Sequence, residues 1–248
     1  MADMSLPPPP AVVSLTQGYS AHPILPADVP EIAEFLCASK LSLAVNRLLY
    51  KDWPAFNVQK AHYTAALRGR DPNNNGWKVV EDESGVAVGH LFLTKSDPSS
   101  RTDGSGDAGG TESEDKVAAS AGEVPGGMVP EVYRMVMETV KNVDEQSALA
   151  NVEHLRLTHI WVTPSHRGRG IGTSLITLCQ NKARETSGDG RPLFVSCEPQ
   201  LEPFLSGKCG FQHTGHADMD LASHAPVYSG FGPFRLFGLR WDAPKDVN

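Results

Sequence analysis

The sequence lacks the features that mark membrane and secreted proteins. No run of residues approaches the roughly 20 apolar positions that a membrane-spanning helix needs. The first residues, MADMSLPPPP, contain neither the basic nor the apolar part of a signal peptide. We therefore expect a protein of the cytoplasm or the nucleus.

Cysteine is also scarce. No two of the four cysteines have the CxxC spacing of a zinc ribbon, and so few thiols do not make a disulfide framework. We therefore expect reduced thiols and no metal site. The four residues are Cys37, Cys179, Cys197 and Cys209.

A basic surface is missing as well. The 22 lysine and arginine residues stand against 29 aspartate and glutamate residues, which gives a net charge of −7. Residues 96–127 supply −5 of this charge, so the remainder is nearly neutral. Neither part has the basic patch with which proteins bind nucleic acids, and we expect no nucleic-acid or membrane partner.

Residues 96–127 have almost no large apolar side chains and no aromatic residue. Such a segment cannot bury enough apolar surface to offset the entropy of ordering, so it is predicted to be a disordered insertion. A regulatory or binding loop is the alternative. We predict a Pro-rich tail at 1–10 and a single domain made of 11–95 and 128–248, on either side of the insertion.

Hydrophobic periodicity predicts the order of strands and helices. The predicted strands are 11–19, 77–80, 86–93, 155–162, 192–197, 211–221 and 234–241. The predicted helices are one capped by Asp28 and those at 41–49, 58–67, 130–150, 171–186 and 201–208. This order favours an α/β fold in which a mixed central sheet is covered on both faces.

A glycine-rich loop joins the strand at 155–162 to the helix at 171–186. Three glycines alternate with other residues from position 168 to position 172, and Arg167 and Arg169 flank the first of them. The first amides of a helix have no partner within it and carry the positive end of its dipole. Glycines let the backbone approach a phosphate, and arginine supplies donors for phosphate oxygens. The loop therefore predicts an anion site, with a plain tight turn as the alternative.

The spacing of the loop excludes two common nucleotide sites. Gly168 and Gly170 have no GxxxxGK[ST] continuation, and Thr173 stands where the last glycine of GxGxxG belongs. The P-loop and dinucleotide interpretations therefore lose most of their support.

Another pattern, Arg/Gln-x-x-Gly-x-Gly/Ala, is fully matched by residues 167–172, which read RGRGIG. A Val-x-Pro-x-x-Arg lead-in is present at 162–167, and a Gly-Phe pair follows at Gly210 and Phe211. On these motifs, with a strand and a helix in register around them, the sequence resembles the GNAT superfamily of acyl-CoA-dependent N-acetyltransferases. The resemblance covers about residues 155–211.

This resemblance implies a fold and a cosubstrate. The implied fold is α/β, with a mixed, mostly antiparallel sheet of six to seven strands and helices on both faces. The implied cosubstrate is acetyl-CoA, whose pantetheine arm would pair with Ile160, Trp161 and Val162. The residues implied to cradle its pyrophosphate are Arg167, Gly168, Arg169, Gly170, Ile171, Gly172 and Thr173.

The implied reaction is direct attack of a primary amine on the thioester carbonyl. The backbone amide near Val162 would stabilise the carbonyl oxygen as charge develops. The amine must first lose a proton, because an ammonium group is not a nucleophile.

Family members often keep a base on the central strand, but the corresponding positions here are Arg156 and Thr158, and neither side chain is a good base. His154 is in phase with the segment that pairs with pantetheine and is the predicted substitute. Glu153 and His159 are alternatives that require a bulge in the strand.

Two further catalytic candidates lie downstream. Glu198 follows the next strand, where α/β sheets place their ligands, and would hold the acceptor ammonium, relay its proton or cap the next helix. Ser206 replaces the tyrosine that the family uses to protonate the leaving thiolate, so Ser206, water or Tyr228 is the expected acid. Cys197 and Cys209 have no histidine partner motif and are expected to be buried rather than nucleophilic.

We therefore predict an N-acetyltransferase that moves an acetyl group from acetyl-CoA to a primary amine, with a small molecule favoured over a protein as acceptor. The alternatives are a non-catalytic acyl-CoA-binding or protein-interaction module and a protein lysine or N-terminal acetyltransferase. A monomer or a homodimer is expected. Residues that would form an apolar acceptor cleft, or else part of the core, are Trp53, Phe56, Trp77, Phe231 and Phe234.

Overall fold

Eight strands form one open sheet in the computed structural model, which describes residues 12–41, 43–69, 76–96, 124–185 and 190–244. The strands are β1 (Val13–Thr16), β2 (Tyr19–Pro23), β3 (Gly76–Glu81), β4 (Ala87–Ser96), β5 (His154–Val162), β6 (Leu193–Cys197), β7 (Gln212–Asp220) and β8 (Pro233–Trp241). Their order across the sheet is β1-β2-β3-β4-β5-β6-β8-β7, and the neighbours are antiparallel except β5 and β6, which are parallel.

Helices cover both faces of this sheet. They are α1 (Val29–Lys40), α2 (Ala44–Leu49), α3 (Phe56–Arg68), α4 (Pro130–Gln146), α5 (Ile171–Glu185) and α6 (Glu202–Cys209). The predicted α/β fold with a mixed, mostly antiparallel sheet is confirmed.

The largest core cluster lies between the sheet and α5. Ile171, Leu175, Cys179 and Ala183 are spaced four apart, which puts them on one face of α5, and all four are buried there. They pack against apolar side chains from both halves of the sheet. The core therefore fixes the start of α5, and with it the preceding glycine loop, against the sheet.

The opposite face carries α1, α3 and α4. Phe92 of β4 packs with α1 and α3, while Phe194 of β6 and Leu236 of β8 pack with α4. Residues adjacent in a strand point to opposite faces, so Leu91 and Phe92 serve different clusters. The middle of the sheet is therefore covered on both sides.

The sheet has one strand more than the six to seven expected. The run predicted as a single strand over 11–19 is a hairpin, because the chain turns at Gln17 and Gly18, where Gly18 has a φ of +80°. Asp28 precedes α1 as predicted but does not cap it. Its carboxylate instead accepts hydrogen bonds from the Leu25 amide (2.8 Å) and from the Lys78 ammonium (2.7 Å).

The predicted tail at 1–10 and most of the predicted insertion, residues 97–123, lie outside the described residues. The last four residues of the predicted insertion are described and packed. Val124 contacts a cluster that includes Tyr50 and Met128, and the Lys51 amide donates to the Gly127 carbonyl at 2.9 Å. No helix within the described ranges is both long enough and apolar enough to cross a bilayer.

Candidate functional site

Strands β5 and β6 separate in the middle of the sheet. They pair at Leu155 with Leu193 and at Arg156 with Phe194, and at no later position among the described residues. Beyond this point β5 continues to pair with β4, and β6 with β8, to the ends of both strands. The strands therefore enclose a wedge between residues 157–162 and 195–198, and one backbone edge of β5 faces it without a strand partner.

A cavity of about 500 Å³ occupies this wedge. Residues 157–162 form one wall and residues 195–198 the other. Arg167 and Gly172 line it on the side of the glycine loop, and Phe204 of α6 lines it from the same face of the sheet. We call this space the wedge cavity.

The glycine loop lies at the mouth of the wedge cavity. Gly168 and Gly170 have φ values of +76° and +83°, a region that residues with a Cβ rarely adopt, and α5 begins directly afterwards. Gly172, in the first turn of α5, lines the cavity. The N-terminus of α5, with its unpaired amides and positive dipole end, therefore faces the wedge.

Comparison with protein families identifies this arrangement. The model of the Acetyltransferase (GNAT) family matches residues 43–211, more than half of the chain, and includes the wedge and the loop. The chain belongs to the GNAT acetyltransferase family. The resemblance predicted from the loop motif is confirmed, and so is the prediction of an enzyme of the acetyl-CoA-dependent N-acetyltransferase class.

Solved structures of GNAT acetyltransferases share the fold. Arylalkylamine N-acetyltransferase 7 of the yellow fever mosquito aligns with a TM-score of 0.59 at 18% identity, over 93% of this chain and 92% of that one. An agmatine N-acetyltransferase gives 0.57 at 12% identity, over 91% and 100%. The polyamine N-acetyltransferase of Drosophila melanogaster gives 0.50 at 11%, over 90% and 99%. These identities establish the fold alone, and curated protein sequences give no match.

The residues predicted to hold the cosubstrate of this acetyltransferase fall into two groups. Ile160, Trp161, Val162, Arg167 and Gly172 line the wedge cavity. Gly168, Arg169, Gly170 and Thr173 are exposed around its mouth, whereas the Ile171 side chain is buried in the core, which leaves only its backbone for a ligand.

The two arginines of the loop have different surroundings. The Arg167 guanidinium lines the cavity and donates through Nε to the Val162 carbonyl at 3.0 Å. The Arg169 guanidinium instead donates to the Tyr19 hydroxyl at 2.7 Å and to the Ser165 carbonyl at 3.3 Å. The Arg169 side chain therefore acts as a brace that holds the loop against β2. Its backbone amide is left for the anion binding that the motif predicts.

A polar network extends this brace. The buried Tyr19 donates its hydroxyl to Glu81 at 3.3 Å, and the same carboxylate lies 3.6 Å from Nε2 of His166 in the loop. A hydrogen bond from Ser84, followed by smaller contributions from His166 and Tyr19, holds the pKa of the Glu81 carboxyl below its usual range. The loop is therefore anchored to β2 and β3 before any ligand arrives.

A bulge in β5 decides which histidine faces the site. Phe92 pairs with His159, but the next residue of β4 pairs with Leu157, so Thr158 is the extra residue of β5. His159 consequently lies on the same face as Phe92, with the two ring centroids 5.9 Å apart, and it lines the wedge cavity. The alternative base that required a bulge is therefore brought to the site.

Glu198 also reaches the site. It directly follows β6 and lines the wedge cavity opposite the β5 bulge. The predicted alternative, a cap for the next helix, is not realised, because α6 has Leu201 at its N-cap and no side-chain cap. Among the described residues that line the wedge cavity, Glu198 is therefore the carboxylate and His159 is one of two imidazoles, and the second imidazole is that of His90.

Three other predicted candidates lie elsewhere. His154 is buried at the start of β5, with Nδ1 2.7 Å from the Val152 carbonyl, and does not line the wedge cavity. Ser206 donates its hydroxyl to the carbonyl and the carboxylate of Glu202, one turn earlier in α6. Tyr228 is fully exposed on the loop between β7 and β8. None of the three is placed to exchange a proton with a group in the wedge.

The thiols are poor nucleophiles at neutral pH. Burial, with smaller contributions from Glu198 and Glu202, raises the pKa of Cys197 to about 12. Burial likewise raises the pKa of Cys37 to about 11, and it raises the pKa of Cys209, which is half-buried. Since the thiolate is the reactive form, a covalent cysteine mechanism finds no support here.

Sequence reasoning missed two features of this site. His90 is fully buried on β4, lines the wedge cavity and stacks near Phe35. Arg156, at a position where the family often keeps a base, forms a bidentate ion pair with Asp144 of α4 at 2.7 and 2.8 Å and donates to Ser196 at 3.0 Å. A histidine inside the apolar run VGHLFL was the available signal for His90, whereas the Asp144 pair depends on how α4 packs.

Proposed function

We propose that this protein transfers the acetyl group of acetyl-CoA to a primary amine on a small molecule. The observation that carries the proposal is the wedge between β5 and β6 with a helix N-terminus at its mouth. The free edge of β5 at Ile160 to Val162 offers hydrogen bonds to a pantetheine arm, and the loop amides from Arg167 to Thr173 offer donors to a pyrophosphate. A thioester threaded in this way directs its acetyl group toward the bulge at Thr158, so the amide that stabilises the carbonyl oxygen is proposed to lie on that side of Ile160 and not near Val162, the position expected from the sequence.

The chemistry of the wedge supports direct transfer. The ammonium of the acceptor gives one proton to His159, and the resulting amine nitrogen attacks the thioester carbon. The carbon–sulfur bond then breaks, and the second proton of the nitrogen passes through water to the departing CoA thiolate. A thiolate whose conjugate acid has a pKa of about 8.5 leaves without a dedicated acid, so the exposed Tyr228 and the hydrogen-bonded Ser206 are not required. Glu198 holds the acceptor as its ammonium until the proton is lost.

The acceptor is proposed to be small because the solved structures with the same fold include arylalkylamine, agmatine and polyamine N-acetyltransferases. A protein acetyltransferase uses the same donor site and remains the competing proposal. A non-catalytic acyl-CoA-binding module is a weaker one, because His159 and Glu198 both line the wedge cavity.

Release of the CoA thiol tests the proposed function. Purified protein is incubated with acetyl-CoA and a panel of small primary amines, and free thiol is followed with a chromogenic disulfide. We expect release that depends on both the protein and the amine. Tight binding of acetyl-CoA without release for any amine or amine-containing peptide would contradict the proposal and support a binding module.

Removing the brace of the glycine loop is expected to weaken acetyl-CoA binding. Tyr19→Phe deletes the hydroxyl that accepts from Arg169 at 2.7 Å while keeping the buried ring. The loss of one such hydrogen bond costs about 1 to 1.5 kcal/mol, which corresponds to a KM for acetyl-CoA about 5 to 13 times higher. The kcat is expected to stay within about twofold, because the brace does not touch the reacting atoms.

Tyr228→Phe is the matched control, since it removes the hydroxyl of a fully exposed tyrosine. Its kinetics are expected to equal those of the wild type. An unchanged KM for acetyl-CoA in Tyr19→Phe would show that the loop keeps its conformation without the brace.

A further inference from the structure

A second cavity, of about 220 Å³, adjoins the wedge cavity at the bulge in β5. It lies on the face of the sheet covered by α2, α3 and α4, and we call it the helix-side cavity. Both cavities share lining residues, among them Thr158, His159, Ser196 and Glu198. A molecule in the helix-side cavity can therefore present one end to the wedge at the position of the proposed thioester.

The walls of the helix-side cavity are predominantly apolar and aromatic. Six of the residues that give it this character are Tyr50, Tyr63, Phe234, Met128, Met137 and Met219. Phe234 is one of the aromatic residues predicted for an acceptor cleft, whereas Trp77 is buried in the main core. Aromatic rings and flexible methionine thioethers favour an apolar ligand, and the flexible thioethers let the wall adapt to its shape.

The charges around this cavity are unevenly placed. Glu198 is the one carboxylate among the described residues that line it, and it lies at the junction with the wedge cavity. Lys40 and Arg156 line it as well, and the carboxylate of Asp144 is already occupied by its bidentate pair with Arg156. One ammonium group at the junction therefore finds a counter-charge, while a second cation deeper in the cavity would be buried without one.

We infer that the acceptor is a monoamine with an apolar or aromatic body, which lies in the helix-side cavity with its ammonium against Glu198. The inference rests on the proposed function and narrows its acceptor. It excludes diamines, polyamines and guanidino amines as preferred substrates, because their second charge has no partner among the described walls. The cavity therefore discriminates against these amines because burying their second charge without a counter-charge is unfavourable.

A matched pair of amines tests the inference. Hexylamine and 1,5-diaminopentane have chains of equal length. They differ only at the far end, where hexylamine has a methyl group and 1,5-diaminopentane has a second ammonium. With thiol release as the readout, we expect kcat/KM to be at least about 50-fold higher for hexylamine, and 2-phenylethylamine to be used at least as well. A preference for 1,5-diaminopentane, agmatine or a lysine peptide would overturn the inference while leaving the acetyltransferase function intact.

A change of one wall residue provides a second measurement. Met137→Glu places a carboxylate in the helix-side cavity and is expected to reduce the preference for hexylamine over 1,5-diaminopentane at least tenfold. Asn142→Glu adds the same charge on the exposed side of α4 and is expected to leave the preference unchanged. If Met137→Glu and Asn142→Glu preferred hexylamine over 1,5-diaminopentane to the same extent, the assignment of the helix-side cavity as the acceptor site would be overturned.

If no amine releases thiol, the proposed function fails, and the cavity is then tested by binding alone. Calorimetry of hexylamine and 1,5-diaminopentane with CoA-saturated protein is expected to give tighter binding of hexylamine. Equal or weaker binding of hexylamine would overturn the inference independently of turnover.

Discussion

Replacing Gly170 by aspartate is expected to abolish acetyl-CoA binding. The residue sits at the mouth of the wedge with a φ of +83°, and a side chain in this conformation costs about 1 to 2 kcal/mol. The new carboxylate also stands in the proposed path of the diphosphate, and two like unit charges about 4 Å apart near a protein surface repel by about 4 kcal/mol. Since about 1.4 kcal/mol is a factor of ten, the affinity is expected to fall by more than 100-fold.

Two further variants separate charge from backbone strain. Gly170→Ala introduces the strained conformation without the charge. A Cβ at this position meets only Thr16 Oγ1 at 3.8 Å, so the backbone strain acts alone, and the affinity for acetyl-CoA is expected to fall about 5- to 30-fold. Gly230→Asp introduces the charge at another positive φ, +79°, with open space around it and far along the chain from the loop. Its affinity for acetyl-CoA is expected to equal that of the wild type by calorimetry, and equal affinity in Gly170→Asp would place the diphosphate elsewhere.

The conformation of the glycine loop and the family could be predicted because their signal is local. The positive φ values at Gly168 and Gly170 and the amphipathic pattern of α5 all lie within about twenty residues of one another. Short-range rules for turns and helix termini apply directly to such a segment. The motif at 167–172 and the family match agree for that reason.

The acceptor side could not be predicted in the same way. Counting alternate residues along β5 selects His154, which lies at the start of the strand and lines neither cavity, whereas the bulge at Thr158 brings His159 to the site. A bulge arises from how β5 pairs with β4, which lies before the insertion in the sequence. The sequence of β5 alone therefore indicates that a bulge is possible, but it does not indicate at which residue the bulge occurs.

Hydrogen-bond partners, one distant and one local, also changed the roles of two side chains. Arg169 was expected to contact phosphate, but Tyr19, 150 residues away, binds its guanidinium. Ser206 was expected near the leaving group, but a hydrogen bond one turn back within α6 holds it on Glu202. The role of Arg169 therefore follows from a tertiary contact, whereas that of Ser206 follows from a hydrogen bond within its own helix.

Replacing His159 by glutamine is expected to lower kcat at least about 100-fold, the usual contribution of a well-placed general base. The imidazole lines the junction of both cavities and is proposed to take the proton of the attacking amine. Glutamine keeps a polar side chain of similar length but accepts no proton at neutral pH. The dissociation constant of acetyl-CoA is expected to stay within about threefold, because the donor contacts are backbone amides of the loop and of β5.

The pH profile and rescue distinguish proton transfer from packing. The wild-type rate is expected to rise with pH and to level off once the imidazole is neutral, whereas the rate of His159→Gln is expected to keep rising, because only solvent then removes the proton of the acceptor ammonium. Added imidazole is expected to restore part of the rate in the variant, which a purely structural role would not allow. His154→Gln changes the other buried histidine of β5, outside both cavities, and is expected to keep the wild-type kcat. The opposite pattern, with a loss of kcat in His154→Gln and none in His159→Gln, would overturn the assignment of His159 as the base.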